Sequence, residues 1–120
     1  MGVKYEVKMS VIGKLAEQFL ENNSSFILMN EGLRPNLADM VVQHNAGELV
    51  EDIVEGDKLK VGNSDFKVLK VGENANQNLR AEGHCTIVVN AEGTMPGQIV
   101  VKGKIPPRLR LGNVIKFYTE

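Results

Sequence analysis

Two histidines, His44 and His84, are the side chains of this chain best suited to nucleophilic or acid–base chemistry. An imidazole has an ordinary pKa of about 6.5, so its charge and its nucleophilicity are both available near neutral pH. His44 follows the apolar run Met40-Val41-Val42 and precedes Asn45-Ala46-Gly47-Glu48-Leu49, where Gly47 lets the backbone turn. A histidine just past a strand can face solvent on a stiff support, within reach of other macromolecules. The ordinary alternative is a strand-end histidine without chemistry.

His84 follows Gly83 and starts a second strand-like run, Cys85 to Val89. In a small barrel the ends of separate strands converge at one rim, where His84 can orient His44 or donate a hydrogen bond to it. Equally, it can be a half-buried structural histidine bonded to a backbone carbonyl. Arg80, four residues earlier, can bring a guanidinium to the same rim and hold an anionic group bidentately, or be a surface charge on a short helix.

Several other chemistries are excluded. Gly56-Asp57-Lys58 lacks the glycine spacing and the following helix of a nucleotide phosphate loop. There is no Gly-x-Ser-x-Gly nucleophile turn and no histidine pair at metal-ligand spacing, so neither a metal nor another cofactor is expected. Cys85 is the only cysteine, which rules out an intramolecular disulfide and fits a reducing cytoplasm. Glu48, Glu51 and Asp52 read as a solvated charged segment rather than a catalytic carboxylate pair. A net charge of -1 offers no bulk attraction to nucleic acid or to an anionic membrane, so either would need a local patch. The densest basic segment, Lys102-Gly103-Lys104 with Arg108 and Arg110, has no interleaved aromatics and reads as a solvated turn and strand. No apolar run is long enough to span a bilayer.

The elements that must position these residues are mostly strands. Tyr5, Val7, Met9 and Val11 alternate with Lys4, Glu6, Lys8 and Ser10, the period of a strand with one buried face. Ile12, Leu15, Ala16, Phe19 and Leu20 recur at helical spacing and predict a short amphipathic helix. Further strands are expected at 26–29, 40–42, 58–61, 65–71, 85–89, 98–101 and 114–118. Gly62-Asn63-Ser64 makes a tight hairpin connection, and the apolar phase slips at Val68-Leu69 as in a bulged or bent strand. Residues 74–82 predict a second short helix capped by Asn74 or Asn76. Glu55-Gly56-Asp57-Lys58-Leu59-Lys60-Val61 and Leu111-Gly112-Asn113-Val114-Ile115-Lys116-Phe117 form a weak internal echo. At 120 residues, with hydrophobic residues at 42%, one domain over 1–120 is expected: mainly β, a compact β-barrel of short strands with one or two small helices.

His44 before Gly47-Glu48-Leu49, then Asn78-Leu79-Arg80 followed by Gly83-His84, and a closing Gly112-x-Val114-x-Lys116-Phe117, come in an order and over a length that resemble the glucitol/sorbitol-specific enzyme IIA component of the bacterial sugar phosphotransferase system. The resemblance implies a cytoplasmic phosphotransferase subunit in which His44 is the phosphorylated residue. It would take the phosphoryl group from the histidine-containing phosphocarrier protein and pass it to a cysteine of the IIB component, for sorbitol uptake through the membrane IIC permease. Family members can carry a second histidine two residues after the first, where this chain has Ala46. On this reading His44 is partly exposed in a shallow apolar rim, to which Met40, Val42 and Leu49 can contribute unless two of the three belong to the core. Backbone amides around Asn45 to Gly47, the His84 ring and Arg80 are then the candidates to meet the phosphoryl oxygens. The competing reading is a non-catalytic barrel module that binds a protein or a sugar, with both histidines structural.

Overall fold

The computed structural model describes residues 2–93, 96–104 and 107–119; Met1 and Glu120, the ends of the expected domain, lie outside these ranges. Eight strands follow the chain as β1 (Gly2–Ile12), β2 (Ser25–Asn30), β3 (Val42–His44), β4 (Lys58–Val61), β5 (Ser64–Val71), β6 (Cys85–Val89), β7 (Gln98–Lys102) and β8 (Val114–Thr119). They close a barrel in the order β1-β3-β2-β6-β7-β5-β4-β8. Helix α1 (Ala16–Asn23) joins β1 to β2, and helix α2 (Ala75–Glu82) joins β5 to β6. Closure leaves no strand edge unpaired, so the barrel interior is the single place where the alternating apolar residues can go. Tyr5, Val7, Met9, Leu28, Leu59, Phe66, Val68, Ile87, Ile99, Ile115 and Phe117 fill it.

The strand β1 keeps the expected alternation from Tyr5 to Met9; a register shift between Met9 and Val11 leaves Val11 exposed, against the expectation, and one between Val3 and Tyr5 turns Lys4 inward beside Tyr5. The phase slip read at Val68-Leu69 is a further irregularity, between Val68 and Lys70 where β5 meets β7. The two strands of the internal echo lie side by side, Leu59 opposite Phe117 in antiparallel register.

Two elements start later than the sequence suggests. The first helix begins at Ala16 rather than Ile12, because Ile12 is still paired in β1, opposite Val42. That same pairing places β3 at Val42–His44 instead of 40–42, so His44 ends the strand rather than following it. Strand pairing, which spans thirty residues of sequence, overrides the local helical spacing. Asn74 takes the N-cap position of α2 without a side-chain cap bond. Asn76 instead grips the loop before β4: its side-chain oxygen accepts from Ile53 N at 2.8 Å, and its amide donates to Ile53 O at 3.0 Å.

Candidate functional site

His44 is carried to its place by two neighbours in the sheet. Its residue pairs with Met9 of β1 and with Asn30 of β2, the latter in parallel register. The peptide after it continues along β1: Asn45 N donates to Lys8 O at 3.1 Å, Asn45 Oδ1 accepts from Lys8 N at 2.8 Å, and Val50 N donates to Lys4 O at 3.0 Å. Gly47 is required for this close run. A Cβ there would sit 2.5 Å from Val7 Cγ1, so a side chain would push the segment off the strand.

The ring does not face solvent. His44 is 0% exposed, which corrects the expectation of a partly exposed imidazole. Its Nε2 lies 2.9 Å from Gly83 O and its Nδ1 lies 2.8 Å from Asn45 O. A neutral imidazole has one N–H, so it can donate to only one of these carbonyls, and the other nitrogen then points its lone pair at an oxygen. Only the doubly protonated ring donates to both. The Tyr5 ring meets His44 edge to face, with centroids 6.1 Å apart.

Gly83 reaches His44 because α2 ends there. Its φ of +62° is a left-handed helix cap, with Gly83 N donating to Leu79 O at 3.0 Å and His84 N to Asn78 O at 3.2 Å. A Cβ on Gly83 would lie 2.2 Å from Asn30 Oδ1 and 2.7 Å from His44 Cε1. The residue is therefore glycine for two reasons, its backbone angle and the ring packed against it.

Three residues of this neighbourhood escaped the sequence reading: Tyr5, Asn30 and Gly83 as a carbonyl. Tyr5 Oη and Asn30 Oδ1 are buried, and neither has a hydrogen-bond partner among the described residues. Such orphaned groups are costly and mark a site under constraint. The one signal available was Tyr5 itself, a phenol on the buried phase of an alternating strand, whose hydroxyl demands a partner. Burial, with a contribution from Cys85, pushes the Tyr5 hydroxyl well above the ordinary tyrosine range. Burial alone pushes the Cys85 thiol up to about 12, so it is a poor nucleophile at neutral pH.

The remaining expected participants are placed as follows. His84 is half-buried and immediately follows the residue whose carbonyl meets His44; no hydrogen bond joins the two rings among the described residues. Arg80 pairs with Asp52 at 2.5 Å on the outer side of α2. Asn45 contributes its carbonyl to the ring, while its amide and side chain are engaged with Lys8. Val42 and Leu49 are core residues and Met40 is half-buried, so the three do not form the expected rim. Exposed apolar side chains near this end of β3 are instead Val11, opposite Gln43 in register, and Leu33, in the turn whose Glu31 N donates to His44 O at 2.9 Å.

Among the described residues, no helix is long and apolar enough to cross a membrane. Comparison with solved structures gives a close likeness in fold to a PTS system IIA component from Enterococcus faecalis V583, with a TM-score of 0.80, 22% identity, and coverage of 95% of this chain and 99% of that one. The glucitol/sorbitol-specific EIIA components of Shigella flexneri and of Escherichia coli K12 are each 31% identical over 119 residues, 98% of this chain and 96% of theirs. The family model described as the PTS system glucitol/sorbitol-specific IIA component matches residues 4–116. With the family motifs distributed along the whole barrel, the chain belongs to the glucitol/sorbitol-specific IIA components, phosphotransferase subunits that carry phosphoryl groups in the sugar phosphotransferase system.

Proposed function

We propose that His44 is the phosphoryl carrier, and that Nε2 is the nitrogen that carries it. The observation that supports this most is the unequal way its two nitrogens are held. Nδ1 faces the carbonyl of the adjacent residue, Asn45, a local contact that persists however the ring is approached. Nε2 faces Gly83 O, which comes from the other side of the site, at the left-handed cap of α2. An Nδ1–H donated to Asn45 O fixes the tautomer and leaves the Nε2 lone pair as the nucleophile once the Gly83 carbonyl turns aside.

In the first transfer the Nε2 lone pair attacks the phosphorus carried by the histidine-containing phosphocarrier protein. The P–N bond to that donor breaks, and its electron pair returns to the donor imidazole. In the second, a cysteine thiolate of the IIB component attacks the same phosphorus, a P–S bond forms, and the P–N pair returns to His44. The loose transition state needs alignment and charge stabilisation more than proton transfer. The IIB component and the membrane IIC permease then complete sorbitol uptake, which places this chain in the cytoplasm. Ala46 stands where relatives can carry a second histidine, so Nε2 here relies on backbone groups and on His84 rather than on a local pair.

A closed His44 makes opening part of the cycle. The segment to move is Gly83-His84, whose displacement uncovers Nε2 and frees the His84 ring to meet phosphoryl oxygens. One observation favours a second reading, with His84 itself as the acceptor: it is half-buried where His44 is buried.

Incubation with phosphoenolpyruvate, enzyme I and the phosphocarrier protein separates these. An acid-labile, base-stable label that is lost in His44→Ala and retained, more slowly formed, in His84→Ala is the expected result. Label retained in His44→Ala overturns the assignment.

A further inference from the structure

The His44 ring is held among oxygens. Gly83 O and Asn45 O flank its two nitrogens, and a third oxygen, Asn30 Oδ1, is buried close by without a hydrogen-bond partner among the described residues. A phosphoryl group on Nε2 brings more oxygens and negative charge to the same place, so it has to be met by donors. The backbone N–H groups of four neighbouring residues are already engaged: Asn45 N with Lys8 O, Glu31 N with His44 O, Gly83 N with Leu79 O and His84 N with Asn78 O. The Arg80 guanidinium is held by Asp52.

Asn30 brings an uncommitted donor to the ring. Its side-chain amide carries two N–H donors beside the oxygen, and a half-turn of the amide exchanges the two ends. Strand register places it there. Asn30 of β2 lies opposite His44 of β3, two residues beyond the core pair Leu28 and Val42, so both side chains leave the inward face of the sheet. The two then converge on Gly83: a Cβ at that glycine would lie 2.2 Å from Asn30 Oδ1, 2.7 Å from Asn30 Cγ and 2.7 Å from His44 Cε1, the ring carbon bonded to Nε2. One small residue therefore stands between the amide and the reactive edge of the imidazole, and its own carbonyl covers Nε2 at 2.9 Å.

We propose that Asn30 is a phosphoryl-binding residue: once the Gly83 carbonyl turns aside, the Asn30 amide donates a hydrogen bond to an oxygen of the phosphoryl group on His44 Nε2. This rests on the carrier reading of His44. No proton leaves Asn30 and no covalent bond changes there.

The proposal explains why Asn30 Oδ1 is an orphan. A polar atom buried without a partner destabilises a fold, and here the amide gains its partner only when the phosphoryl group arrives. Tyr5, the other group without a partner, is 1% exposed, and its hydroxyl lies near enough to Cys85 for their charges to interact. A phosphoryl group that passes between proteins has to lie toward the surface, and Asn30 is half-buried at the end of its strand. A neutral amide also steadies the charge without the stronger hold of a cation, which keeps the group transferable to a thiolate.

The test compares rates of phosphoryl acceptance from the phosphocarrier protein for the wild-type chain, Asn30→Leu and Asn30→Gln, with the fold of each checked by circular dichroism. Leucine fills the space and removes both donors, whereas glutamine keeps them. Asn30→Leu should slow acceptance roughly 10- to 100-fold, the effect of losing one hydrogen bond to a charged group, and Asn30→Gln should be faster than Asn30→Leu. In the ¹⁵N-labelled wild-type protein the Asn30 side-chain amide protons should move downfield on phosphorylation, a signature that a purely structural Asn30 would not give and that decides the matter should Asn30→Leu fail to fold. Unmoved amide signals, or a folded Asn30→Leu that accepts at the wild-type rate, with the label on His44 in either case, would overturn this inference and leave the carrier reading standing. A wild-type chain labelled on His84, or not labelled at all, would overturn both.

Discussion

His44 lies in a sequence context that points to display at a strand end, yet its ring is enclosed by the carbonyls of Asn45 and Gly83. The histidine was legible because imidazole chemistry and the Gly-Glu-Leu that follows it are properties of the local sequence. Its enclosure was not, since Gly83 is 39 residues away and reaches the ring through the cap of a helix. Tyr5 and Asn30 were missed for the same reason: a buried group without a partner is a relation between elements. Gly83→Ala tests the enclosure. The left-handed angle alone costs an alanine about 1–2 kcal/mol, and the contacts with Asn30 and His44 add to it. We expect a loss of at least about 2 kcal/mol in urea denaturation, together with a changed rate of phosphoryl acceptance; an unperturbed variant would mean that the cap does not confine the ring. Cys85 gives a second test at this scale. With its thiol pushed up to about 12, it should resist thiol reagents at neutral pH until the barrel unfolds, as followed by the rate of colour release from a disulfide reagent.

At the scale of elements, the loop 51–57 is pinned to β1 by a charge pair that the register shift in that strand makes possible. Lys4, 5% exposed, donates to Asp57 Oδ2 at 2.8 Å and to Asp52 O at 2.7 Å, and Asp57 also accepts from Val54 N at 2.9 Å. The alternation of β1 had marked Lys4 as an outward residue; the shift between Val3 and Tyr5 turned it inward. A one-residue slip reverses which face a side chain takes, and only the pairing with β8 determines it. Asp57→Ala leaves the Lys4 ammonium buried without its carboxylate and should cost about 3–5 kcal/mol. A chemical denaturation midpoint close to wild type would show that the pair is not what fastens the loop. The bulge in β5 behaved differently: its apolar phase slip is written in consecutive residues, and the structure has it at that place.

Across the whole molecule, three buried groups bind their protons more tightly in the fold than in the unfolded chain. For Lys4, burial opposes the charge, but the hydrogen bonds and attraction of Asp57 and Glu51 outweigh it and raise the pKa above 10.5. Burial raises Cys85 from 9.0 and Tyr5 from 10.0. Each raised pKa contributes stability that is complete below the unfolded value and is lost as pH climbs through the interval above it. Thermal midpoints should therefore hold up to about pH 9 and then fall with increasing steepness through the range where Cys85, Tyr5 and Lys4 would ionise in the unfolded chain. A midpoint that is flat or rising from pH 9 to 11 would contradict the burial of these groups. The barrel class was legible from many short alternating runs divided by glycine turns. The strand order, including the parallel pairs β2–β3 and β6–β7, was not, and it is this order that sets Asn30 of β2 beside His44 of β3.

The central claim, that His44 Nε2 holds the phosphoryl group, is tested most directly by phosphorus-coupled NMR of the protein labelled with ¹⁵N in its histidines, after phosphorylation by phosphoenolpyruvate, enzyme I and the phosphocarrier protein. A single phosphorus–nitrogen coupling, at Nε2 of His44, is expected. Coupling at a nitrogen of His84, or no phosphorylated imidazole at all, would contradict it.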